Sequence, residues 1–315
     1  LETYGPDATR WYMISNANPW DNLKFDLDGI AEVPRKFFGT LQNTYAFFSL
    51  YANIDSFTYK EEAIPLLKRN EMDQWVLSEL NKLIATVDYA YSDYEPTRAT
   101  RAISEFVQEI LSNWYVRLSR RRFWKGEYQE DKISAYQTLF ECLLTISKLM
   151  APVAPFYADR LYLDLCDATG FGAELSVHLT DFPLADKNTR NPKMEERMEK
   201  ARTIASLALS LRKKEQIKVR QPLQKIMIPV RNIAEKEAIQ AVEELILSEI
   251  NVKELELLDD ASDILVKEIK PNFKTLGPRF GKNMRFVVAA IQKLDESQLK
   301  YLEAELQQVE PFEGP

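Results

Sequence analysis

The chain has 315 residues, 45% of them hydrophobic and 28% charged, a balance that suits one or two globular domains and excludes collagen-like or low-complexity architecture. A net charge of −7 excludes a uniformly basic nucleic-acid coat, and no stretch approaches the ~20 apolar residues of a membrane-spanning helix. Two cysteines, Cys142 and Cys166, and one histidine, His178, are too few for a four-ligand Cys/His zinc site.

The first two thirds read as helices. Gly5-Pro6-Asp7 starts one that runs to about Ser15, since proline is tolerated in a first turn and aspartate favours its positive end. Asn16 to Asp26 is a polar loop. A second helix is predicted over 28–51, with Phe37, Phe38, Leu41, Tyr45 and Phe48 at helical spacing. A third covers 70–91 and ends at Tyr94-Glu95-Pro96. A fourth begins near Glu95 and carries Ile103, Phe106, Ile110 and Trp114 on one stripe. A fifth spans 132–149. The run Ala151-Pro152-Val153-Ala154-Pro155 bends the chain into a sixth, which ends near Asp167. Such helices with short connections make a bundle, here residues 1–185, with 1–27 as a junction segment.

The polar, proline-containing stretch 181–192 marks a domain boundary. Beyond it the pattern alternates: helix 193–214, strand 225–230, helix 234–248, strand 251–257, a strand at 264–269, then short helices 285–294 and 297–307. That is a small α+β domain, residues 186–315. The fold class is therefore mainly α, a helical bundle followed by a small α+β domain. Leu1-Glu2-Thr3-Tyr4 and Pro311–Pro315 read as interior sequence, so a longer parent is expected.

Charge is segregated. Residues 191–231 hold eleven Lys/Arg against four Glu, 232–265 two Lys against ten acids, and 266–285 six Lys/Arg against one Glu. The densest feature is Asn113-Trp114-Tyr115-Val116-Arg117-Leu118-Ser119-Arg120-Arg121-Arg122-Phe123-Trp124-Lys125-Gly126, with five cations, no acid and four aromatics. Cations capture phosphates and aromatic faces stack on unpaired bases, so the run suggests a local RNA site. Continuing the apolar stripe by three and four residues reaches Arg117 and Arg121, where core residues belong. The helix is therefore expected to outrun its core. Its tip then presents Arg117, Arg120, Arg121, Trp124 and Lys125, with Trp114 in the core and Arg122 solvated or paired internally. The competing reading pairs these arginines with bundle carboxylates. Two further basic stretches are Lys213, Lys214, Lys218 and Arg220, between a helix end and a strand, and Arg279 with Lys282, in a turn-rich loop over 270–282. No phosphate-binding glycine loop, nucleophile elbow or His-Glu-x-x-His motif occurs, so no active site is expected within these residues.

These residues carry a resemblance. Tyr4-Gly5-Pro6-Asp7-Ala8-Thr9-Arg10-Trp11-Tyr12 resembles the segment after the Lys-Met-Ser-Lys-Ser loop of class I aminoacyl-tRNA synthetases. The run Asn113 to Trp124 resembles the anticodon-domain signature of isoleucyl-tRNA synthetases, and Ala151 to Phe156 the proline turn of the same helical domain. Lys218 to Leu223, and Val266 to Lys282, resemble that family's C-terminal region. The resemblance implies an anticodon-binding fragment whose partners are tRNA(Ile), through its anticodon stem-loop, and upstream catalytic and editing domains of the same chain. The parent would activate isoleucine with ATP and magnesium and transfer it to tRNA(Ile). The fragment itself would need no cofactor, hold no catalytic residue, touch no membrane and work in the cytoplasm. The lack of a four-cysteine zinc module implies the branch shared with eukaryotic enzymes. The nearest alternatives are the equivalent fragment of a valyl-tRNA synthetase and, in another class, a helical protein-interaction module.

Overall fold

Prolines and small polar caps set most helix starts in the computed structural model of the chain, which describes residues 2–125, 127–170, 174–258, 271, 273–291 and 298. The chain divides into two compact units, residues 1–203 and 204–315. That division falls inside a continuous helix, Pro192–Lys214, and not in the polar stretch before it.

The first unit is a helical bundle. Helix α1, Pro6–Asn16, begins on proline with Asp7 in its first turn. Helix α2, Leu27–Glu32, is capped by the Asp26 carboxylate, which accepts from Asp28 N, and continues through a wide π-type stretch, Val33–Phe38, into α3, Gly39–Asp55. Helix α4, Glu71–Ser92, is capped by Asn70. Helix α5, Pro96–Glu105, passes through a second π-type stretch, Phe106–Val116, into α6, Arg117–Trp124. Helix α7, Glu130–Met150, and α8, Pro155–Thr169, complete the bundle, and Gly170 closes α8 at φ 65°, where a residue with a side chain is strained.

Aromatic burial holds these helices together. Trp11 of α1 stacks on Phe37 at 4.3 Å between ring centres. Phe48, Phe57, Tyr136 and Phe140 form a cluster in which Phe57 stacks on Tyr136 at 5.0 Å. Each such ring contributes roughly 1.5–3 kcal/mol when fully buried. Polar ties fix the periphery: Arg10 donates to Val153 O at 2.8 Å, and Asp7 accepts from Tyr157 N at 2.6 Å, so α1 is docked on the start of α8. Tyr12 receives Asp26 N at 3.0 Å and donates to Lys24 O at 3.1 Å, which shapes the junction loop. Gly29 lies against the Tyr12 ring so closely that a Cβ there would overlap it.

Helix α9 is Pro192–Lys214. The second unit pairs β1, Leu223–Pro229, with β2, Val252–Leu258, in parallel, Leu223 opposite Val252 and Pro229 opposite Leu258. Helices α10, Ile233–Gln240, and α11, Glu243–Ile250, form the crossover that parallel pairing requires. Helices α12, Phe273–Phe280, and α13, Met284–Ile291, follow. The loop expected over 270–282 is therefore largely helical. Gly277 and Pro278 read as breakers in sequence, yet both lie within α12. The expected strand 264–269 lies outside the described residues, as does the expected helix 297–307 apart from Gln298.

Candidate nucleic-acid interface

The wide stretch between α5 and α6 decides which arginines face solvent. Up to Trp114 the buried positions follow the expected stripe: Ile103, Phe106, Ile110 and Trp114. A π-type turn holds more residues than an α turn, so the buried face drifts toward later positions. From the end of the wide stretch through α6 the buried residues are Tyr115, Val116, Ser119 and Phe123, not 117 and 121. The helix does not outrun its core, as the sequence suggested. Its core face rotates instead. Arg117, Arg120, Arg121, Trp124 and Lys125 are all exposed as a result, Trp124 to 52%.

Arg122 turns inward. Its Nη1 and Nη2 each donate to a different oxygen of Asp73 at 2.7 Å, a bidentate fork, and its Nε donates to Asp131 at 3.0 Å. Asp73 is completely buried in the first turn of α4. It also accepts from the Tyr115 hydroxyl at 2.6 Å and from the Ser134 hydroxyl at 3.0 Å. Burial works against the charged guanidinium of Arg122, but hydrogen bonds and charge from Asp73 outweigh it, and its pKa lies above the ordinary value. Burial, reinforced by the Asp73 charge, pushes the Tyr115 hydroxyl well up, so it stays a donor. The network joins α4, the wide stretch, α6 and α7.

The exposed cations are pre-arranged over rings. Arg117 lies 5.8 Å from the centre of the Trp114 ring and donates to Asn113 O at 2.7 Å. Arg120 lies 5.8 Å from the Phe47 ring, and the Lys125 ammonium 5.5 Å from the Trp124 ring. Trp114 is core, with its indole nitrogen buried and unpaired among the described residues. One short helix thus offers four cations and one half-exposed indole, the elements needed to hold a phosphate backbone and stack a splayed base.

The second basic group sits in the other unit. Lys213, Lys214, Lys218 and Arg220 are all exposed, at the end of α9 and in the loop after it. That loop is built around Arg212, which is 4% exposed. Its guanidinium donates to Lys218 O at 3.3 Å, Gln221 O at 3.0 Å and Asn251 O at 3.0 Å. Arg279 is exposed on α12, 5.9 Å from the Phe280 ring. Lys282 falls in the short turn Gly281–Asn283, and its side chain lies outside the described residues. Sequence reasoning missed Asp73, Tyr115, Ser134 and the organising role of Arg212. Asp73 lies 42 residues from Tyr115 and 61 from Ser134, Arg212 reaches Asn251 39 residues on, and no periodicity marks these pairs.

Among the described residues no group of three or more His, Cys, Asp or Glu is arranged to hold a metal, and no helix is long and apolar enough to cross a membrane. Cys142 is buried and Cys166 half-buried, both as free thiols.

Residues 73–228 match the family described as the anticodon-binding domain of tRNA ligase. This segment includes Asp73, the whole basic tip and the Arg212 loop. Over those residues the chain is similar to that family of anticodon-binding domains. Across nearly its full length it is similar to isoleucine–tRNA ligases: 55% identical to that of Bacteroides thetaiotaomicron over 96% of this chain and 26% of the relative. It is 57% identical to that of Porphyromonas gingivalis over 96% and 26%. It is 54% identical to that of Cytophaga hutchinsonii over 100% of this chain and 28% of the relative. The chain thus spans about a quarter of the length of the curated relatives it matches.

Proposed function

We propose that this chain is the tRNA-recognising portion of an isoleucine–tRNA ligase, and that it binds the anticodon stem-loop of tRNA(Ile) without performing chemistry. The observation that carries this reading is the α6 tip, where Arg117, Arg120, Arg121 and Lys125 surround an indole exposed to 52% within a family segment that binds anticodons. Cations would hold the loop phosphates while Trp124 receives an unstacked base. Lys213, Lys214, Lys218, Arg220, Arg279 and Lys282 would add backbone contacts from the second unit. The catalytic and editing domains, and with them ATP and magnesium, belong to the remainder of the parent polypeptide, whose place of work is the cytoplasm. We assign the parent to the branch without a four-cysteine zinc module; stoichiometric zinc in the purified parent would overturn that assignment.

The reading is tested by comparing binding of this chain to tRNA(Ile) and to heparin, and by assaying isoleucine-dependent pyrophosphate exchange. Preferential tRNA binding with no exchange is expected. Equal binding to both polyanions would favour a protein-interaction module, and exchange by this chain alone would contradict the division of labour.

A further inference from the structure

We propose that Asp73 is a positioning residue for RNA recognition, setting the rotation of α6 at which its cations face solvent. The proposal rests on the tRNA-binding reading above and adds a residue that does not itself touch RNA. Asp73 is fully buried, and its two oxygens receive both terminal nitrogens of Arg122 at 2.7 Å, the Tyr115 hydroxyl at 2.6 Å and the Ser134 hydroxyl at 3.0 Å. Arg122 is the immediate neighbour of Arg121 and lies two residues from Arg120 and Trp124. Successive helical positions point about 100° apart, so fixing the direction of Arg122 also fixes those of the exposed Arg120, Arg121 and Trp124 and of the buried Phe123. Tyr115 is held by the same carboxylate within the wide stretch that rotates the helix face. A π-type stretch is intrinsically rare, and relaxing it to α geometry would carry Arg117 and Arg121 back toward the core side. The bidentate fork and the tyrosine hydrogen bond together hold the rotated setting.

This role is separable from electrostatics by sign. Asp73→Asn removes a negative charge, so a long-range charge effect predicts equal or tighter RNA binding. It also sets an amide N–H against a guanidinium N–H and breaks the fork, so loss of positioning predicts weaker binding. The probe is a labelled stem-loop carrying the tRNA(Ile) anticodon, titrated by anisotropy across a salt series, with folding checked by circular dichroism at the same temperature. The expected result is about tenfold weaker binding with a salt slope shallower by about 0.7 per lost phosphate contact. Should Asp73→Asn fail to fold, the pair Asp73→Leu with Arg122→Met leaves net charge unchanged, and apolar replacement of a buried ion pair is often neutral for stability. The same loss is expected of that variant. Unchanged or tighter binding by either folded variant overturns the positioning role while the wild-type chain still binds. Failure of the wild-type chain to bind the stem-loop overturns the tRNA reading and this proposal together.

Discussion

The two basic regions are built alike around one inward-turned arginine each, but they solve its charge differently. In the bundle, Arg122 meets carboxylates, Asp73 and Asp131. In the second unit, Arg212 meets three backbone carbonyls, those of Lys218, Gln221 and Asn251. In both, the neighbouring cations are left exposed. A run of like charges in sequence is therefore two populations, an inner arginine that builds the site and outer ones whose side chains are exposed. The energetic consequence differs, because removing Arg122 strands a buried charge whereas removing Arg212 strands only neutral acceptors.

That contrast is open to direct attack. Arg122→Ala should cost about 3–5 kcal/mol of bundle stability, since Asp73 is left buried and charged without a counter-ion, held only by the Tyr115 and Ser134 hydroxyls. Urea denaturation followed by tryptophan fluorescence reads this, and a loss near zero would mean that Asp73 is neutralised or reached by water. Arg212→Ala should cost less, about 1–3 kcal/mol, and only in the transition of the second unit. Hydrogen exchange resolved by segment distinguishes the units, and equal losses for the two variants would erase the difference between carboxylate and carbonyl partners. Trp124→Ala should leave stability within about 0.5 kcal/mol, because the ring is 52% exposed. It should nevertheless cost about 1–3 kcal/mol of stem-loop binding if the indole stacks on a base. Isothermal titration measures the second effect, and unchanged affinity would remove Trp124 from the interface.

The bundle was legible because its cues are local. Pro6, Pro96 and Pro155 start helices where expected, and the predicted helices 28–51, 70–91 and 132–149 appear as 27–55, 71–92 and 130–150. The strand expected at 225–230 forms as Leu223–Pro229. The site was only half legible. Exposure of Arg117, Arg120, Arg121, Trp124 and Lys125 was correctly expected, but from a helix overrunning its core. The actual cause is a π-type stretch whose rotation is held by Asp73, 42 residues from Tyr115 and 49 from Arg122. Nothing at 3.6-residue spacing signals such a register change, because tertiary partners hold it. The segment 270–282 failed in the opposite direction: local breakers suggested a loop, and Phe273–Phe280 is helical with Pro278 inside.

Anticodon reading by the α6 tip is the role proposed for Arg117, Arg120, Arg121, Trp124 and Lys125. Its most direct test is the affinity of the chain for two stem-loops of identical stem and loop length, one with the isoleucine anticodon and one with those three bases replaced, each measured with the wild-type chain and with Trp124→Ala. Weaker binding of the replaced loop by the wild-type chain, and loss of that discrimination in Trp124→Ala, is the predicted result. Equal affinity of the wild-type chain for both loops would contradict anticodon reading at this tip.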